Sequence, residues 1–172
     1  KRFLKRRVSR ARWRRNWGVD VTAMNSEKTN ILLLFWGRRG AIARCTHELA
    51  RALKTRGRVV PHLSLSRQSE GFESAQALNL PGCHVDTYHG PVSALGSLPR
   101  IPLAGLRLAR YIRQNNIQVV VCLMSHVWNP VAVPFLKRTG ALFMVAIHDP
   151  VRHLGEENRF LDWVKTRDVQ QA

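Results

Sequence analysis

The sequence predicts an α/β protein built on a parallel, doubly wound sheet with helices on both faces. Three observations predict it. Short apolar runs without alternation, such as Asn30–Trp36 and Ile117–Met124, are the pattern of strands buried on both sides. Segments with helical spacing lie between these runs. Glycines or asparagines close the helices where a stop is expected, and strands that alternate with helices pair in parallel.

The elements follow in order along the chain. Asn30–Trp36 (NILLLFW) is the first strand, ended by Gly37. From Ala41 to Arg56, Ile42, Cys45, Leu49 and Leu53 recur at spacings of three and four, one face of a helix. Gly57 stops it, and Lys54 and Arg56 sit in the last turn, where cations suit the helix dipole. Arg58–Ser66 reads as a second strand, with Pro61 moving it toward an edge or a bulge. A polar loop, Arg67–Glu73, leads to a short helix ending near Leu78. Pro81-Gly82 is a turn, and Cys83–Tyr88 a short third strand. A looser stretch then enters a helix with Ile101, Gly105, Leu108 and Ile112 on one face, closed at Asn115-Asn116. Ile117–Met124 is a strand and Asn129–Thr139 a helix, with Pro130 suited to its first turn and Pro134 positioned to kink it. Ala141–Ile147 is a fifth strand, and a last helix spans Asn158–Ala172. The architecture expected is Rossmann-like.

The formal net charge of +17 is unevenly spread. Residues 1–23 hold nine Lys or Arg against Asp20 alone. This segment is read as a basic arm outside the domain of residues 24–172, either native or an extension ahead of a start at Met24. Trp13 and Trp17 among its arginines are compatible with stacking on nucleic-acid bases beside phosphate contacts, the runner-up functional class. Phe3, Leu4, Val8 and Ala11 share one helical face, so the arm also fits an interfacial anchor for an anionic membrane surface. Cys45, Cys83 and Cys122 show no CxxC spacing, which argues against a zinc site or a disulfide framework and for a reducing, cytoplasmic setting. No apolar run reaches membrane-spanning length.

In open parallel sheets, ligands bind beyond the carboxyl ends of the strands. That rule selects Gly37–Ala41, Ser64–Gly71, Ser125–Asn129 and His148–Glu156. Gly37-Arg38-Arg39-Gly40-Ala41 joins the first strand to the first helix, where glycines permit a sharp turn and a helix N-terminus offers amides to an anion. It is neither GxGxxG nor a Walker loop. His126 and His148-Asp149 follow two later strands, and histidine there suits hydrogen bonding or proton exchange near neutrality. His148, Asp149, His153 and Glu156 carry donor atoms but match no metal signature, and no metal is expected. No Gly-x-Ser-x-Gly elbow is present.

Three segments together resemble the N-terminal domain of family 4 glycosyltransferases. Thr46-His47-Glu48-Leu49-Ala50-Arg51-Ala52-Leu53 is similar to that family's first helix. Ile117–Gly140 resembles its strand–His–helix unit, and Val145–Glu156 (VAIHDPVRHLGE) its strand end with a His-Asp pair. The resemblance covers residues 30–157. It implies a GT-B fold of two facing Rossmann-like domains, with this chain as the acceptor-side half. It also implies a nucleotide sugar as co-substrate, no resident cofactor or metal, and a glycan or lipid-linked acceptor. Residue by residue, it implies a catalytic role for His148 near the transferred sugar, with Gly37, Arg38, Arg39, Gly40, Ala41, His126 and Asp149 binding substrate. The pattern departs at Arg38 and Arg39, where small residues are common, and at Cys122, where a His is common. The family's donor-binding domain with its Glu-x7-Glu motif is absent from these residues, so transfer is expected to require that domain from elsewhere.

Overall fold

A computed structural model describes residues 28–88, 90, 93, 96–97, 99–147 and 159–172. Its elements are β1 (Thr29–Phe35), α1 (Ala41–Arg56), β2 (Val59–Leu65), α2 (Phe72–Gln76), α3 (Arg100–Gln114), β3 (Ile117–Cys122), α4 (Asn129–Lys137), β4 (Leu142–Val145) and α5 (Arg159–Gln171). The four strands form one sheet in the order β2-β1-β3-β4, and every pairing is parallel.

β1 lies at the centre, and its alternation divides the core. Leu32, Leu34 and Trp36 face a cluster with Leu108 and Ile112 of α3 and Ala132, Val133 and Leu136 of α4. Leu33 and Phe35 face a second cluster with Ala43 and Ala50 of α1, Ala75 of α2 and Leu63 and Leu65 of β2. Helices therefore cover both faces, as the apolar run of β1 predicts. At about 25 cal/mol per Å² of apolar surface, each buried leucine of this strand contributes roughly 2 kcal/mol of burial free energy before entropy is counted. α3 and α4 approach closely at Gly105, where a Cβ would lie 2.9 Å from the Phe135 ring and 3.3 Å from the Ala132 Cα.

Pro61 fits its strand for a geometric reason. The Leu63 amide donates outward to the Pro81 carbonyl at 2.9 Å, while the Ser66 amide donates inward to Phe35 at 3.2 Å. Pro61 has the parity of Leu63, so its missing N–H falls on the outer side of β2, away from β1.

Two expectations need correction. Cys83–Tyr88 does not form a full strand; it runs beside β2 through isolated parallel bridges, Leu63–Gly82 and Ser66–Val85. Side chains replace part of the ladder: Gln68 Oε1 accepts from the Thr87 amide at 2.8 Å, and the Ser66 and Thr87 hydroxyls meet at 2.7 Å. Cys45 is exposed rather than on the buried stripe. The buried face of α1 is centred on Ala43, Thr46 and Ala50, small residues that let the helix lie close to the sheet, with Ile42, Leu49 and Leu53 flanking them.

Helix ends behave as read. Gly57 adopts φ 65° and its amide caps the Leu53 carbonyl. Asn116 takes φ 47°, a left-handed conformation that asparagine tolerates. Pro134 inside α4 removes the N–H that would reach the Pro130 carbonyl, and the Gln171 side chain of α5 approaches that carbonyl at 3.5 Å. Among the described residues no helix is long and apolar enough to cross a membrane.

Candidate functional site

The winding of the chain reverses at the centre of the sheet. α1 and α2 pack on one face and α3 and α4 on the other, so β1 and β3 are neighbours whose onward connections part to opposite sides. Such a switch point opens a crevice beyond the strands' carboxyl ends. Its two walls are the segments after β1 and β3: Gly37–Ala41 and Ser125–Asn129.

Gly37 is buried, and a Cβ there would lie 2.5 Å from the Met124 Cε and 2.7 Å from the Phe35 ring. The first wall is therefore packed directly against the exit of β3. Gly40 takes φ 105°, a backbone that other residues rarely adopt. It starts α1 with no side-chain cap and no acidic residue in the first turn. The first amides of that helix carry partial positive charge with no side chain neutralising it. Between the glycines, the Arg38 carbonyl accepts from the Glu70 amide at 2.9 Å, while the Arg38 Nε is buried without a hydrogen-bond partner. Arg39 instead pairs with Glu70 at 3.4 Å, both side chains largely exposed, an ion pair of small energetic weight.

The second wall differs from its expectation in accessibility. His126 follows β3 as read, but it is only 6% exposed. Its ring stacks near Tyr88 at 5.8 Å and meets Trp36 and Trp128 edge-on at 6.2 Å and 5.9 Å. Nδ1 accepts from the Trp128 amide at 3.3 Å. Nε2 then carries the proton of the neutral ring, and it has no partner. Burial pushes the His126 pKa down to about 4, so the ring is neutral near pH 7.

Below His126 lies a polar cluster that sequence reasoning missed. Asn129 opens α4 and Asp168 lies in α5; both are 0% exposed. Asn129 Nδ2 donates to Asp168 Oδ2 at 2.9 Å and lies 3.4 Å from the Cys122 sulfur. Burial raises the Asp168 pKa, while hydrogen bonds from Asn129 and Ser125 act against that rise. Burial, with the Asp168 carboxyl nearby, pushes the Cys122 thiol up to about 12, which leaves it a packing group rather than a nucleophile. Nothing in the sequence marks Asp168: an acid in a terminal amphipathic helix reads as solvated. Glu70 and Tyr88 were equally silent, since their roles depend on the loop after β2 folding against the glycine turn and on the chain beyond Val85 returning to His126.

His148 and Asp149 lie outside the described residues, as do His153, Glu156 and the basic arm of residues 1–23. Of the predicted site residues, Gly37, Arg38, Arg39, Gly40 and Ala41 lie together after β1 at the switch point, and His126 is buried in the segment after β3. Among the described residues no three His, Cys, Asp or Glu side chains converge.

The fold and the switch point define the chain as a Rossmann-like α/β unit of GT-B-like fold. In particular, the structure is similar to Acinetobacter baumannii MurG, with a TM-score of 0.58 and 12% identity over 80% of this chain and 39% of that one. The chain thus spans well under half the length of that protein, and at this identity the likeness is one of fold. An FMN-dependent Ubix-like decarboxylase from Escherichia coli O157:H7 aligns with a TM-score of only 0.38 and 16% identity, over 83% of this chain and 94% of that one; so low a score carries no argument. No protein-family model matches the sequence, and no curated protein matches it.

Proposed function

We propose that the chain forms the acceptor-side half of a nucleotide-sugar-dependent glycosyltransferase, working with a second Rossmann-like domain that supplies the donor site. The observation that carries this reading is the uncapped N-terminus of α1 behind Gly40, set at the β1/β3 switch point. It combines unneutralised helix amides with the unpartnered Arg38 Nε, donors suited to charge developing on a departing diphosphate. The GT-B-like fold supports the same reading, because MurG is a glycosyltransferase. In it, the neutral His126 braces the opposite wall, and His148, with Asp149 next to it in sequence, acts at the transferred sugar. The acceptor is a glycan or a lipid-linked molecule. No resident metal or cofactor has a role in this scheme.

The test is sugar-nucleotide turnover by the complete two-domain enzyme, whether one polypeptide or this chain combined with the donor domain. Replacing His148 by Ala is expected to lower turnover by two orders of magnitude or more, in the range of general acid–base roles. Wild-type turnover in that variant removes His148 from the mechanism. Absence of turnover with every nucleotide sugar in the complete protein removes the reading itself.

A further inference from the structure

The outward face of α3 is built for an anionic surface. With five of its residues (Ile101, Gly105, Leu108, Ala109 and Ile112) buried against the core, the solvent side carries Arg100, Leu103, Leu106, Arg107, Arg110 and Arg113. These fall on one face at helical spacing. Leu103 is 67% exposed and Leu106 54% exposed, flanked by four arginines. The charge pattern extends well beyond the helix. Between Asp86 and Asp149 the sequence contains no acidic residue, but it holds these four arginines together with Lys137 and Arg138. α4 packs parallel to α3 at Gly105 and Ala132, and Arg113 donates to the Arg138 carbonyl at 3.0 Å. α4 therefore brings the exposed Lys137 and Arg138 to the same end as Arg113, and it adds Val131, 44% exposed.

We infer that the outer face of α3, extended by α4, docks on an anionic lipid bilayer, with Leu103 and Leu106 entering the headgroup boundary and Arg100, Arg107 and Arg110 contacting lipid phosphates. Arginines alone would suit nucleic acid equally well. Two exposed leucines at the centre of the stripe do not, since they gain nothing against a phosphate backbone and gain burial in an interface. This surface uses no residue of the 1–23 segment and none of the β1/β3 crevice. Because α3 runs antiparallel to β3, Leu103 and Leu106 lie on the half of the helix nearer the strand ends that line the crevice. A docked bilayer would thus lie beside the site. The inference does not depend on the transferase reading.

The full chain is sedimented with vesicles of pure phosphatidylcholine and with an equal mixture of phosphatidylcholine and phosphatidylglycerol. Binding is expected to the mixture alone and to weaken with salt. A basic residue near such a surface contributes about 1 kcal/mol, so Arg100→Gln with Arg110→Gln lowers partitioning on the order of thirtyfold. These two are chosen because Arg107 lies beside the buried Cys83 and Arg113 is bonded to α4. Leu103→Ser with Leu106→Ser lowers partitioning on the order of tenfold while leaving salt dependence in place. All four positions are exposed, so the melting temperature is expected to stay near that of the wild type, which separates docking from unfolding. Undiminished binding of both double variants, with loss only on deletion of residues 1–23, overturns the inference. So does salt-dependent binding of single-stranded RNA that the leucine variant leaves untouched while no vesicle binds. Either result leaves turnover at the crevice as a separate question.

Discussion

Replacing Asp168 by Asn is expected to stabilise the protein at neutral pH. The side chains of Asn129 and Asp168 share one hydrogen bond, Nδ2 to Oδ2 at 2.9 Å, and each keeps one buried oxygen, Oδ1, without a partner. The unbonded atoms are both acceptors, so ionised Asp168 cannot satisfy Asn129, whereas a protonated acid or an amide can. Exchanging a carboxylate acceptor for an amide weakens the existing bond by about 1 kcal/mol. Pairing the orphaned Asn129 oxygen with a new N–H recovers roughly 1–3 kcal/mol, and the cost of desolvating a charge disappears. The balance is about 1–2 kcal/mol in favour of Asp168→Asn, or roughly 3–6 °C in Tm for a chain of this size.

The pH dependence has a definite sign. Burial raises the folded pKa of Asp168 above its ordinary value of 3.8. The favourable contribution of this group is complete below 3.8 and lost as pH rises through the folded pKa. The advantage of Asp168→Asn should therefore grow across that window and then level off. Urea denaturation followed by circular dichroism, from about pH 3.5 to about pH 8, measures it. Asp168→Ala is the control, because it leaves the Asn129 amide with only the Cys122 sulfur as a partner and its oxygen with none, and should cost about 2 kcal/mol. Destabilisation of Asp168→Asn by more than about 1 kcal/mol at neutral pH would refute the reasoning. It would mean that Asn129 and Ser125 hold the carboxylate ionised and that its charge is an asset.

Three further outcomes follow from the same structure. His126→Phe keeps the aromatic packing and removes a buried, unpartnered N–H. Because the folded His126 pKa is depressed from 6.5 to about 4, the wild type loses up to ~3 kcal/mol as pH falls across that interval, and the variant should not; parallel pH–stability curves for the two would count against the assignment. Gly40→Val places a β-branched residue at φ 105° and should cost roughly 1–3 kcal/mol as well as weaken any anion bound at the start of α1, read by denaturation and by phosphate titration. Gly105→Leu forces α3 from α4, since even a Cβ meets the Phe135 ring and the Ala132 backbone; a loss of about 1–3 kcal/mol is expected, and a Tm within a degree or so of wild type would show that the helices part freely.

How far the sequence could be read varied with the range of the interactions involved. β1, α1 and α3 were legible because burial on both faces or one face leaves its period in the residues, and Gly57 and Asn116 mark helix ends by conformations few residues accept. Cys83–Tyr88 was misread because its apolar residues, Cys83 and Val85, do face the core, while its ladder is completed partly by Gln68, Ser66 and Thr87 side chains. Composition cannot reveal that substitution. Cys45 was misplaced because hydrophobicity was used where size decides: α1 lies on the sheet through Ala43, Thr46 and Ala50, which turns the helix enough to expose Cys45.

The crevice shows the same division between local and distant causes. Gly37 and Gly40 announce a tight strand-to-helix turn from their spacing, and the structure gives each its own reason, a close approach to Met124 for one and a positive φ for the other. His126 announces only a strand end. What the histidine can do is settled by Tyr88, Trp36 and Trp128 around its ring and by Asp168 acting on Ser125 and Asn129 at either end of its loop. α5 buries Val164 and Asp168, so its hold on that loop depends strongly on a single carboxyl. Strengthening the pair through Asp168→Asn should therefore do more than raise Tm. It should slow amide hydrogen exchange from Ser125 to Asn129 together with that of α5, because the two segments then open as one unit. Slower exchange in α5 alone would show that the histidine wall is held by its aromatic packing and not from below.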